Sequence, residues 1–88
     1  MGYVPQKAFL FSGTIEDNLR MGYEDATKEE MKRALTIAQA KDFVDKLPKG
    51  IKSEVSQGGS NFSGGQKQRL SIARALIRQV PVYIFENN

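Results

Sequence analysis

The 88-residue chain is 26% charged and 40% hydrophobic, a soluble globular mix too short for more than one small domain. It holds no cysteine and no histidine, which excludes disulfides, thiol chemistry, Cys/His zinc sites and imidazole acid–base catalysis. Thirteen basic residues against 10 acidic ones leave a net charge of +3, short of the clustered excess typical of a nucleic-acid binder, and no apolar run nears the ~20 residues of a bilayer span.

The chain opens on an extended piece, Gly2 to Val4, which Pro5 ends because it cannot donate to a ladder and keeps Val4 out of the helical region. Thr14 then predicts a helix N-cap, with Asp17 three residues on, Ile15 and Leu19 one turn apart, and Gly22 as a stop. Thr27 and Glu30 form a capping-box pattern, followed by Met31, Ala34, Leu35 and Ala38 at helical spacing. A short helix is predicted over 41–47, burying Phe43, Val44 and Leu47. Residues 51–62 read as a loop, rich in glycine and serine at 58–61.

Ser63 and Gln66 make a further capping-box pattern. They open a helix with an apolar face of Leu70, Ala73, Leu76, Ile77 and Val80, while Lys67, Ser71, Arg74 and Arg78 share another face. Between Lys67 and Arg78 lie four basic residues and no acidic one. After Pro81, the run Val82 to Phe85 reads as a buried strand. Two lone strands at opposite ends read as threads of a larger sheet.

The segment Ser63-Gly64-Gly65-Gln66 carries the clearest chemistry. A helix start exposes unpaired N–H groups at the positive end of the macrodipole, and glycine lets an anion approach that backbone closely. Ser63 adds a hydroxyl donor and Gln66 an amide donor; a solvent-facing cap with glycines in a tight turn is the plainer alternative. A phosphate-binding P-loop it is not. Gly59 and Gly64 have the right separation, but Gly65 and Gln66 stand where the lysine and hydroxyl belong.

The run from Asn61 to Leu76, NFSGGQKQRLSIARAL, closely resembles the signature motif and helix of ABC transporter nucleotide-binding domains, with Phe62 where leucine is commonest. The likeness covers essentially the whole chain. Residues 3–7, with Gln6, resemble the Q-loop; Leu10-Phe11-Ser12-Gly13-Thr14-Ile15 resembles the exporter-type continuation; residues 53–59 stand where exporters carry the X-loop; and residues 82–87 resemble a Walker B strand. The 53–59 segment departs from the family at Ser56 and Gln57, which replace glycine and glutamate, and Glu54 reads equally as a solvated loop residue. Glu86 and Asn87 stand where the Walker B aspartate and the catalytic carboxylate belong. Glutamate keeps the charge but extends it by one methylene, which would misplace a direct metal ligand, and asparagine cannot act as a general base. Either this site is catalytically silent or these last residues are not native.

The resemblance implies a mainly α fold: a small bundle of about four helices with short extended segments at both ends, the helical subdomain (1–88, signature motif and helix 62–79) of a P-loop α/β ATPase. It implies that Ser63, Gly64, Gly65 and Gln66 contact ATP held by a second nucleotide-binding domain. Gln6 and Glu86 would act on Mg2+ indirectly, and Glu54 would touch the coupling helices of a transmembrane domain. The implied setting is the cytoplasmic face of a membrane, in an ABC exporter, and the 88 residues alone are expected neither to hydrolyse ATP nor to hold ATP or Mg2+ tightly. The alternatives are a small basic nucleic-acid-binding helix using Lys67, Arg69, Arg74 and Arg78, and an inactive excised folding unit.

Overall fold

Three capping boxes set the starts of the three longer helices in this computed structural model, which describes residues 9–79. Helix α1 spans Ile15–Gly22, where the Asp17 N–H donates to Thr14 Oγ1 (3.0 Å) and the Thr14 N–H donates to Asp17 Oδ2 (3.0 Å). Helix α2 spans Lys28–Ile37, closed the same way by Thr27 and Glu30. Helix α3 is the short Lys41–Asp45, and α4, Gly64–Leu76, starts behind Ser63. Each box satisfies two of the N–H groups that a helix start would otherwise leave open.

The 41–47 helix is thus shorter than its sequence suggests. Beyond Asp45 the chain keeps turning through i→i+3 bonds, Lys46 to Phe43 and Leu47 to Val44, before Pro48 ends it. The stretch read as a loop, 51–62, is more ordered than its composition implies. It contains a strand, β2 (Glu54–Val55), paired antiparallel with β1 (Gly13–Thr14) in the register Gly13–Val55 and Thr14–Glu54, and 3₁₀ turns at Gly50–Lys52 and Gln57–Gly59. Two-residue strands carry almost no periodicity signal, so only the tertiary pairing reveals them.

The core forms where α4 packs on α1 and α2. Leu70, Ala73 and Ile77 meet Ile15 and Leu19 of α1 and Met31, Ala34 and Leu35 of α2, all buried, and Leu10 and Val55 close the cluster. These are the apolar stripes visible in the sequence, apart from Val80, which lies outside the described residues. At the close of α1, Gly22 has a different reason from the expected stop. A Cβ there would lie 2.1 Å from the carbonyl oxygen of Arg74, so glycine lets α4 cross at backbone contact. The predicted terminal strands, 2–4 and 82–85, also lie outside the described residues.

Candidate functional site

The start of α4 is built from Ser63 as N-cap, Gly64 and Gly65 as the first two helical residues, and Gln66 as the third. Ser63 Oγ accepts from the Gln66 N–H and Gln66 Oε1 accepts from the Ser63 N–H, both at 3.0 Å. The N–H groups of Gly64 and Gly65 have no acceptor within the helix, by helical geometry. Ser63, Gly64 and Gly65 are exposed. A Cβ at Gly64 or Gly65 would meet no atom within 4 Å among the described residues, so nothing in their packing asks for glycine there.

Charge separates this helix start from the two others that carry boxes. The first turn of α1 holds Glu16 and Asp17 and that of α2 holds Glu29 and Glu30, while the first turn of α4 holds no acidic residue. Acidic side chains at an N-terminus neutralise the positive end of the macrodipole. At α4 the box partner is the neutral Gln66, so the dipole stays open to an external anion. The residues present therefore fit a phosphate oxygen: two N–H groups, the Ser63 hydroxyl proton and the Gln66 amide face an unobstructed, uncompensated turn. No group of acidic side chains that could hold a metal ion occurs among the described residues.

Upstream, the chain is fastened to this turn. The Ser56 N–H donates to Asn61 Oδ1 (2.9 Å), and Asn61 Nδ2 donates to the Glu54 carbonyl oxygen (3.0 Å). Between them the chain reverses through Gly58 and Gly59, at φ 70° and 77°, a region that favours glycine. Gly59 is also crowded: a Cβ there would lie 2.9 Å from Lys67 Cδ and 3.0 Å from Leu10 Cδ1. Phe62, half-buried, tilts against Phe43 with centroids 6.4 Å apart. Glu54 leaves its carboxylate exposed on a strand whose backbone is held from both sides.

Farther along α4 the expected basic face comes apart. Arg74 turns inward: Nη2 donates to the Phe9 carbonyl oxygen at 2.7 Å, Nη1 reaches Asn18 Oδ1 at 3.4 Å, and the guanidinium lies 5.5 Å from the centroid of the Phe11 ring. Burial, which disfavours the charged form, pulls the guanidinium pKa below its ordinary value. Ser71, assigned from spacing to the same polar face, is buried. Lys67 and Arg78 are thus not part of one continuous exposed row with Arg74. A hollow of about 640 Å³, lined by Asp17, Arg20, Tyr23, Glu24 and Arg78 among others, includes none of residues 61–66.

Sequence reasoning singles out Ser63, Gly64, Gly65, Gln66 and Glu54, and the first four stand together on one turn with Glu54 at the far end of the Asn61 bridge. Gln6, Glu86 and Asn87 lie outside the described residues. It missed Asn18, which is 2% exposed and bonds the Phe11 N–H (2.8 Å), the Phe11 carbonyl (2.9 Å) and the Thr14 carbonyl (3.0 Å). A signal was available there: Asn18 is a polar residue inside the apolar stripe of Ile15 and Leu19. Asn61 carries no such periodic clue.

Known proteins share this sequence and fold. The sequence profile of the family described as "ABC transporter" matches residues 1–87. An uncharacterized ABC transporter ATP-binding protein of Mycobacterium tuberculosis is 50% identical over 90 residues, covering 99% of this chain and 15% of that protein. The uncharacterized ABC transporter ATP-binding protein YfiB of Bacillus subtilis is 47% identical over 88 residues, covering 100% and 15%. The ATP-dependent permease MDL1 of Candida albicans is 47% identical over 87 residues, covering 98% and 13%. The solved structure of a bacterial Atm1-family ABC exporter with ATP bound superposes with a TM-score of 0.80 at 42% identity, over 88% of this chain and 14% of that one. The chain thus spans about 15% of the length of the first curated relatives it matches. No helix among the described residues is long and apolar enough to cross a membrane. A helical fold shared with a nucleotide-bound exporter and a profile match from end to end lead to one statement: this chain belongs to the ABC transporter family.

Proposed function

We propose that this chain is the helical subdomain of an ABC exporter's nucleotide-binding domain, and that its Ser63–Gln66 turn contacts ATP held on the P-loop of a second such domain. The observation that carries the proposal is the α4 start, which lacks the acidic first turn of α1 and α2 and where Gly64 and Gly65 meet no packing demand from the described residues. Glycine interrupts a helix at a cost of up to about 1 kcal/mol relative to alanine. Two glycines where the fold needs none are explained by a ligand that must come within hydrogen-bond distance of the backbone.

In this reading ATP with Mg2+, bound on the opposite domain, supplies the phosphate whose hydrolysis drives transport. The chain's own residues bind and orient: the Gly64 and Gly65 N–H groups and the Ser63 hydroxyl donate to the phosphate oxygens, and the Gln66 amide lines the turn. Charge-assisted bonds of this kind are about twice as strong as neutral ones. Gln6 and Glu86 would act at the metal and Glu54 at a transmembrane domain, which sets the chain on the cytoplasmic face of a membrane. With asparagine at position 87 in place of a carboxylate, the chain's own Walker B-like end is impaired as a base.

The test is a chimaera in which residues 9–79 of this chain replace the matching segment of an Atm1-family exporter, so that the exporter keeps its own Q-loop and Walker B carboxylates. Gly64→Asp puts a carboxylate where the phosphate belongs, at a position whose Cβ has open space. ATP turnover should fall about 100-fold, the scale of losing a preorganised oxyanion donor, with the melting temperature little changed. Full turnover in that variant would contradict the proposal.

A further inference from the structure

We infer that Asn61 is a positioning residue, a clamp that makes the Glu54 strand and the phosphate-facing turn one mechanical unit. The inference rests on the reading above, because it concerns how that turn is placed. Asn61 touches neither ligand position; it acts through backbone. Its side chain bonds on both faces, accepting from the Ser56 N–H at 2.9 Å and donating to the Glu54 carbonyl at 3.0 Å. Both partners lie five to seven residues upstream, and Ser63 lies two residues downstream.

The rest of the loop has bonds that make the clamp consequential. The Gly59 N–H donates to the Ser56 carbonyl (2.7 Å) and the Phe62 N–H to the Gly59 carbonyl (2.9 Å). Upstream, Glu54 pairs with Thr14, and the Ile15 N–H donates to the Ser53 carbonyl (3.1 Å). The chain from Ser53 to Ser63 is therefore bonded turn by turn. Asn61 crosses the loop with two bonds, one spanning 56–61 and the other 54–61. Without them, Gly58 and Gly59 at positive φ form a hinge between Glu54 and Ser63. With them, a displacement imposed at Glu54 reaches the α4 start instead of being absorbed.

Two substitutions break the clamp from opposite ends. Asn61→Ala removes the side chain. Ser56→Pro removes the N–H that Asn61 accepts from; Ser56 sits at φ −73°, which proline adopts without strain, and Val55 before it is extended, as proline requires. In the exporter chimaera, with MgATP as the probe, each variant should raise the KM for ATP by about three- to tenfold, the equilibrium weight of one or two hydrogen bonds. Their combination should raise it no further. Glu54→Ala keeps the carbonyl that Asn61 holds, so adding it to Asn61→Ala should likewise be non-additive if both lie on one route. Unchanged KM in both clamp variants, or fully additive effects of Glu54→Ala and Asn61→Ala, overturns the inference while leaving the phosphate reading intact. A chimaera with the unaltered segment that hydrolyses no ATP overturns the phosphate reading, and the clamp with it. Should Asn61→Ala fail to fold, Ser56→Pro carries the same test.

Discussion

Arg74 Nη2 donates to the carbonyl oxygen of Phe9 at 2.7 Å, joining two residues 65 positions apart. That bond ties the signature-like helix to the segment just after the Q-loop-like stretch. It is reinforced by Asn18, which holds both backbone groups of Phe11 while its Oδ1 faces Arg74. Arg74→Ala should lower the stability of the 88-residue chain by about 2 kcal/mol, since it leaves a carbonyl without its charged donor. Arg74→Lys should recover only part of this, because an ammonium cannot serve Phe9 and Asn18 at once with a planar fork. Urea denaturation monitored by circular dichroism checks both.

Two glycines should respond to alanine in opposite ways. Gly22→Ala places a methyl 2.1 Å from the Arg74 carbonyl oxygen, which must push α1 and α4 apart, so a loss of about 1–3 kcal/mol is expected. Gly65→Ala meets open space and improves helix propensity, so stability should stay level or rise by up to about 1 kcal/mol. Thermal melts of the two variants under identical conditions give the comparison.

The helical part of the fold was legible in the sequence because its signals are local. Thr14 with Asp17, Thr27 with Glu30, and Ser63 with Gln66 are four-residue patterns that specify a helix start by their own hydrogen bonds, and the apolar residues after each fix the buried face. What escaped depends on distant partners. Val55 pairs with Gly13 across about half the chain, Arg74 turns to Phe9, and Gly22 answers to Arg74; none of these has a sequence period. The Ser63–Gln66 turn was legible as a motif, whereas the Asn61 bridge needs the fold of 54–61 to bring its ends together.

Acid should weaken the contact between α1 and the 50–52 turn. Glu16 bonds Lys52 (2.8 Å) and Arg20 (3.0 Å), and these two partners, Lys52 first, hold its pKa below the ordinary 4.5. A carboxylate with a depressed folded-state pKa contributes stability that is fully present above the unfolded value and lost as pH falls through the folded one. Stability should therefore decline as pH drops below about 4.5, and Glu16→Gln should flatten that part of the profile. Melting temperatures between pH 3 and pH 7 reveal the difference.

Gln39 closes α2 in the left-handed region at φ 61°, with the Ala40 N–H donating to the Leu35 carbonyl at 2.7 Å. Glycine is preferred at such a C-terminal position because it lacks the Cβ that crowds there. Gln39→Gly should raise stability by about 0.5–1 kcal/mol, seen as a higher melting temperature with unchanged helical content.

On the proposed function, the Ser63–Gln66 turn serves ATP on the opposite domain. The most direct test is nucleotide trapping in a mixed dimer of the exporter chimaera. One subunit carries Gly64→Asp with its P-loop intact, and the other carries a substituted P-loop lysine with the Ser63–Gln66 turn intact. Service in trans leaves one composite site with both halves whole, so about one nucleotide should be trapped per dimer. Service in cis would leave every site broken, and the absence of any trapped nucleotide would contradict the account.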